Sequence, residues 1–291
     1  MLSKFFQWII FFTIIFACSI FQSAQAFERG IYISHSTMEN TTYLTYLIKR
    51  AKASKINTFV IDFQRLTSRY EKNIKLILDN DIKYVARVVV FPEGGTHEQI
   101  ISVAHWERKY KLIEQAVALG AKEIQLDYIR YNTQRAASAQ NAKNIHNVIG
   151  WFKNKTTDLG VPLQIDVFGI TSFGEEPHIG QNVALFADSV DVICPMNYPS
   201  HFEPFRKHAV TPYKTIYDAI TAMKSQFNDK TPKIYSYIET YNYRYPLTSQ
   251  QRTAYIQAQI KAVHDAGADG WYAWSANNRY DYLFDVLSNP A

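Results

Sequence analysis

Short apolar runs alternate with longer amphipathic segments from Arg29 almost to the end of the chain, and this alternation leaves very few folds open. Eight runs rich in β-branched and aromatic residues read as strands: Gly30–Ser34, Thr58–Phe63, Lys83–Phe91, the run within Ala121–Tyr131, Pro162–Phe168, Val190–Met196, Lys233–Ile238 and Gly270–Ser275. The segments between them read as helices: Thr41–Ala53, Arg69–Asn80, Glu107–Leu119, Ala139–Leu159, Asn182–Ala187, Tyr213–Phe227, Ser249–Ala266 and a terminal Tyr282–Leu287. Asn80-Asp81, Leu119-Gly120, Leu159-Gly160 and Ala266-Gly267 each close a helix just before a strand, where a residue tolerant of left-handed backbone is favoured. Strands separated by helices must run parallel and be covered on both faces. Eight such units in about 250 residues predict an α/β chain closed into a (β/α)8 barrel. An open doubly wound sheet would carry a Gly-rich turn after its first strand, and here that turn reads Ser34-His35-Ser36-Thr37.

The first 26 residues stand apart from this pattern. One positive charge (Lys4), an apolar run from Phe5 to Cys18 and the ending Ala24-Gln25-Ala26 have the layout of a secretory signal peptide cleaved after Ala26. The run is shorter than the roughly 20 residues a spanning helix needs, so no stable membrane span is expected after cleavage. A lipoprotein acylated at Cys18 is the minor alternative. The 291-residue chain less this 26-residue leader leaves 265 residues, one barrel domain over 27–291, with no linker or low-complexity tract. The expected location is the periplasm or the exterior. The leader holds one Lys and no acid, so cleavage lowers the formal charge from +5 to +4. Basic residues such as Lys49, Arg50, Lys52 and Lys55 lie at helical spacing without forming a concentrated stripe, which argues against nucleic-acid binding. Only Cys194 would remain, so the exported chain relies on its core, and 47% apolar residues supply one. Oligomeric state is not legible.

In a barrel of this kind, chemistry gathers at the C-terminal ends of the strands. Those ends bring forward Ser34/His35, Asp62, Arg87 with Glu93, Asp127 with Arg130, Asp166, Met196 to Tyr198, Glu239 and Trp274/Ser275. Buried acids destabilise a fold unless paired, so acids facing one cavity are either a lattice with Arg87 or Arg130 or a reaction centre. Asp127 and Asp166 end neighbouring strands after the similar runs Ile-Gln-Leu-Asp and Leu-Gln-Ile-Asp. Strands about 4.8 Å apart bring two such carboxyls close, which raises one pKa and sets a proton donor beside an ionised partner. Glycosidic-bond cleavage needs that pair, and closeness favours the retaining geometry. Asp62 is expected to bind substrate hydroxyls or to pair with Arg87, and Glu239 is an alternative to Asp166 as proton donor. Tyr241, Tyr243 and Tyr245 offer sugar-stacking faces, as does Trp274 at the end of the eighth strand. No His-x-His, Cys/His cluster, Gly-x-Ser-x-Gly elbow or P-loop occurs, so neither a metal nor a cofactor is expected. Cys194, inside an apolar strand, reads as an inert thiol.

Six co-linear motifs carry a resemblance. Gly30-Ile-Tyr-Ile, Val85 to Phe91, Ile124 to Tyr131, Ile165-Asp-Val-Phe-Gly169, Val192 to His201 and Trp271 to Tyr280 resemble a bacterial family of glycoside hydrolase-like TIM barrels whose activity is largely uncharacterised. The likeness spans the mature chain and implies an exported barrel that acts on or binds polysaccharide. It marks Asp127 and Asp166 as the matching acids of the fourth and fifth strands. Arg130, Tyr128, Tyr198 and Trp274 would shape the sugar site, and His201 and Asn277 fall within the same motifs. Two departures stand out: Glu239-Thr240-Tyr241 replaces the Gln-Asp-Phe such proteins tend to carry, and the loop Asp62-Phe-Gln-Arg is terse. The expected activity is glycoside hydrolysis by Asp127, as nucleophile or charge stabiliser, and Asp166, as general acid/base. The alternative is a glycan-binding barrel without turnover.

Overall fold

The computed structural model describes residues 27–228 and 231–288. The leader reading, with Cys18 and the Ala26 cleavage site, lies outside those residues. Eight parallel strands close into a barrel in sequence order: β1 (Glu28–Ile33), β2 (Thr58–Asp62), β3 (Lys83–Val89), β4 (Glu123–Asp127), β5 (Leu163–Phe168), β6 (Val192–Met196), β7 (Lys233–Glu239) and β8 (Gly270–Trp274). Closure comes from β1 pairing with β8, through Gly30 opposite Tyr272. This is the predicted (β/α)8 fold.

The helices match the sequence pattern with small shifts: α1 (His35–Met38), α2 (Thr41–Ala53), α3 (Ser68–Leu78), α4 (His97–Ile100), α5 (Val103–Ala118), α6 (Ala139–Asp158), α7 (Val183–Phe186), α8 (Phe205–Ala209), α9 (Pro212–Lys224), α10 (Ser249–Asp265) and α11 (Asp281–Ser288). Their starts follow side-chain caps. Asn40 accepts from Tyr43 N–H at the head of α2, Thr67 caps α3, and Thr248 forms a reciprocal capping box with Gln251 at α10. Helix α5 starts at Val103, four residues before the expected Glu107, because Ser102 accepts from His105 N–H and satisfies the first turn there. The short helices α1, α4 and α8, of four or five residues, leave no periodic signal and escape the sequence reading, whereas the equally short α7 falls within the expected Asn182–Ala187.

Side chains alternate along each strand, so the barrel has two cores. The outer one packs Ile31, Phe59, Ile61, Leu126 and Ile165 against the helices. The inner one stacks Val60, Val85, Cys194, Tyr235, Tyr237 and Tyr272 along the axis. A charged layer closes the N-terminal end, where Lys83 Nζ sits 2.7 Å from both Glu28 and Glu123. The axis is therefore filled, and the cavity described below opens at the C-terminal rim. Gly30 is required by this filling, since a Cβ there would lie 2.4 Å from Cδ1 of Tyr272. Gly30→Ala is expected to lower stability by about 1–3 kcal/mol through overpacking. The check is a lower urea midpoint at unchanged m-value.

Candidate active site

The two matched strands place their acids side by side. Gln125 and Gln164 face the axis as a paired rung, with Gln125 Nε2 donating to Gln164 Oε1 at 3.1 Å. Asp127 and Asp166 follow just beyond the last paired rung, Leu126–Ile165, at the rim. The same alternation that buries the glutamines in the axis carries both carboxyls into the space above it.

Arg87 of β3 lies against these acids. Its Nη1 pairs with Asp62 and its Nη2 with Asp127, while Nε stands 3.6 Å from Oδ2 of Asp166. Tyr32 of β1 donates its hydroxyl to the second oxygen of Asp62 at 2.6 Å and holds its ring 5.4 Å from the guanidinium. One cation thus lies among three acids. Among the described residues no group of His, Cys, Asp or Glu is arranged to hold a metal.

The two neighbours differ sharply. Asp127 is an acceptor twice over: from Arg87, and from the Tyr128 N–H to its Oδ1 at 2.5 Å. Tyr128 itself has a left-handed backbone, φ 53°, a conformation that costs a bulky residue about 1–3 kcal/mol. Asp166 is 2% exposed, and its Oδ1 has no hydrogen-bond partner. Burial first, and then the charge of Asp127, push the Asp166 pKa well above the usual carboxylate range, with Arg87 opposing both. A buried acid whose pKa is raised and whose second oxygen is free therefore sits beside an Asp127 held as an acceptor.

These groups open into a cavity of about 620 Å³, within the range of small-molecule sites. Arg87, Asp127, Tyr128, Arg130, Asp166, Tyr198, His201 and Trp274 all line it. Tyr198 and Trp274 stack on each other at 5.2 Å and form an aromatic wall. Tyr241 leans on Trp274 at 5.9 Å, and His201 stacks on Tyr243, which is 64% exposed at the outer rim.

Three expected contacts lie elsewhere. Asp62 does not line the cavity, because Tyr32 and Arg87 take both of its oxygens; of its two expected roles, the structure realises the pairing. Glu239 is fully buried outside the cavity and accepts from Ser200 N–H at 2.8 Å, Ser200 Oγ at 2.7 Å and Tyr255 OH at 2.5 Å. Those donors tie it to the turn after β6 and to α10. Asn277 is exposed away from the cavity, and its neighbour Asn278 is the structural residue, bonding Ser34 N–H and the Tyr32 carbonyl. Conversely, the cavity takes in Tyr32, Phe168, Ile170, Phe202 and Glu203, which the sequence reading did not select. Tyr32 was findable by alternation from the end of β1. Phe168 ends β5, and Ile170, Phe202 and Glu203 sit on irregular turns that carry no periodic signal.

Closed barrel, rim acids and an aromatic-walled cavity together define a glycoside hydrolase-like barrel protein. The chain belongs to the family described as "Putative glycosyl hydrolase domain", whose profile matches residues 93–280. No relative among curated proteins matches its sequence. Solved structures similar in fold include the spore cortex-lytic enzyme SleL of Bacillus megaterium, at TM-score 0.65 and 12% identity over 90% of this chain and 73% of that one. A chitinase from Chromobacterium violaceum gives TM-score 0.64 and 14% identity over 90% and 98%. The endo-beta-1,4-mannanase of Thermotoga petrophila gives 0.60 and 14% over 87% and 68%. At these identities the likeness is one of fold. Among the described residues no helix is long and apolar enough to cross a membrane.

Proposed function

We propose that the protein hydrolyses glycosidic bonds of a polysaccharide or oligosaccharide outside the cytoplasm, with Asp166 as general acid and Asp127 as the carboxylate facing the anomeric carbon. The carrying observation is the contrast between the pair: Asp166 is buried, unpartnered at Oδ1 and raised in pKa by that burial, beside an Asp127 held by two donors. Asp166 would deliver its proton to the leaving oxygen as the bond to the sugar breaks. Asp127 would stabilise the developing oxocarbenium charge or capture it as a covalent intermediate, after which Asp166, now ionised, takes a proton from water. Tyr198 and Trp274 offer the apolar faces a sugar ring needs, and the Tyr128 N–H helps to fix Asp127. Adjacent strands favour the short carboxyl separation of retaining enzymes, about 5–5.5 Å. Export rests on the leader reading of residues 1–26.

The test is a screen of purified mature protein against bacterial and host polysaccharides for new reducing ends, followed by proton NMR of the first product. Release of reducing ends with the β or α configuration kept is the expected result. Glycan binding with no hydrolysis of any polymer would replace this reading by that of a binding barrel.

A further inference from the structure

The second arginine of the cavity is held in a way that points to the substrate's charge. Arg130 is 7% exposed and lines the cavity, yet it forms no ion pair among the described residues. Its guanidinium lies between the rings of Tyr128 and Phe168, at 5.1 and 5.0 Å, and Nη1 donates to the Tyr131 carbonyl at 2.9 Å. Gly94, at φ +90°, makes room for it, since a Cβ there would lie 2.6 Å from Nη1. The nearest acids are committed or solvated: Asp127 is bonded to Arg87 and Tyr128, and Glu93 is exposed. Burial accordingly lowers the Arg130 pKa despite both acids. A desolvated cation without a counter-ion is a standing destabilisation, and a fork of free N–H donors facing a cavity is suited to a carboxylate.

We propose that the substrate is an anionic glycan, and that Arg130 binds the carboxylate of a uronate-type sugar held against Asp127 and Asp166. This rests on the glycan-site reading above and adds the substrate's chemical class. The formal charge, +4 once the one-lysine leader is removed, favours the approach of such a polymer. Glu203 also lines the cavity, but from the turn after β6, two strands away from the Arg130 loop.

The experiment measures binding, so it does not depend on turnover. Full-chain Asp166→Asn protein, alone and combined with Arg130→Gln or Arg130→Lys, is titrated with galacturonate, mannuronate and hyaluronan oligosaccharides and with their methyl esters. Esterification removes the charge and keeps the sugar. At least one acid series is expected to bind about tenfold or more tightly than its ester, the effect of one charge-assisted hydrogen bond. That preference should vanish with Arg130→Gln, return in part with Arg130→Lys and shrink as salt rises. Equal binding of acids and esters, an Arg130→Gln loss of equal size for both, or no binding of any acid series overturns the proposal. Tighter binding of neutral chito- or manno-oligosaccharides, indifferent to Arg130, overturns it while leaving the hydrolase reading in place. Acid-selective binding that needs Arg130, with no hydrolysis by the wild type, upholds it and removes that reading instead.

Discussion

Asp166→Asn is expected to reduce hydrolysis by about 10²–10⁴-fold while glycan binding persists. Asparagine matches the shape of a protonated aspartic acid, so it fills the buried position without adding charge, but it has no carboxylic proton to give. The loss should be largest for natural sugar leaving groups and much smaller for aryl glycosides, whose leaving oxygen departs without protonation. Two profiles sharpen the test. In the wild type, kcat/KM should fall on the basic side as pH passes the raised Asp166 pKa, and the variant should lack that limb. Stability follows the same group. Because its folded pKa lies above its unfolded value, the native state holds more protons between the two, and stability declines as pH rises through that window. The contribution is fully present below the unfolded value of about 3.9. Asp166→Asn should flatten this slope in urea unfolding series. A loss of the same size on natural and aryl substrates would remove Asp166 from the role of acid.

How much of this was legible follows from which residues obey a period. The strands and long helices could be read because their apolar residues recur at two or at about 3.6, and every strand was located within a few residues. Asp127 and Asp166 could be found because identical alternation in Ile-Gln-Leu-Asp and Leu-Gln-Ile-Asp ends both strands on the same face. Glu239 obeys the same logic: it also ends a strand, yet the direction of its carboxyl is set by Ser200 and Tyr255, which come from other elements. Asp62 likewise ends a strand, and Tyr32 and Arg87 decide its partners. Strand position thus tells which residues reach the rim. It does not tell which of them keep a free oxygen there, because that depends on donors distant in sequence. Phe202 and Ile170 enter the cavity on short turns after β6 and β5, where no repeat exists to read.

Arg87→Met is expected to destabilise the protein by about 3–5 kcal/mol near neutral pH, the range for removing one partner from a buried ionic cluster. Methionine keeps much of the stem volume, so the deficit isolates the charge that Asp62, Asp127 and Asp166 share. Its pH dependence carries the diagnosis. Without the guanidinium the folded state favours protonated carboxyls, whose pKa values rise above the unfolded ones. Native protein then binds more protons than unfolded protein, and the variant loses stability as pH rises above about 4. Below that pH the acids are protonated in both states and most of the deficit should disappear. Urea unfolding of wild type and variant at about pH 3 and about pH 7.5 measures the difference. Arg87→Lys should fall between them, because a single ammonium keeps the charge but cannot span the acids as a planar fork does. A deficit that stays the same at both pH values would mean that Arg87 matters for packing, not as the counter-ion. The cluster sets function as well as stability. Losing the cation removes the one influence that lowers the Asp166 pKa, so the basic limb of activity in Arg87→Lys should move to higher pH wherever the ammonium sits farther from Asp166 than Nε now does.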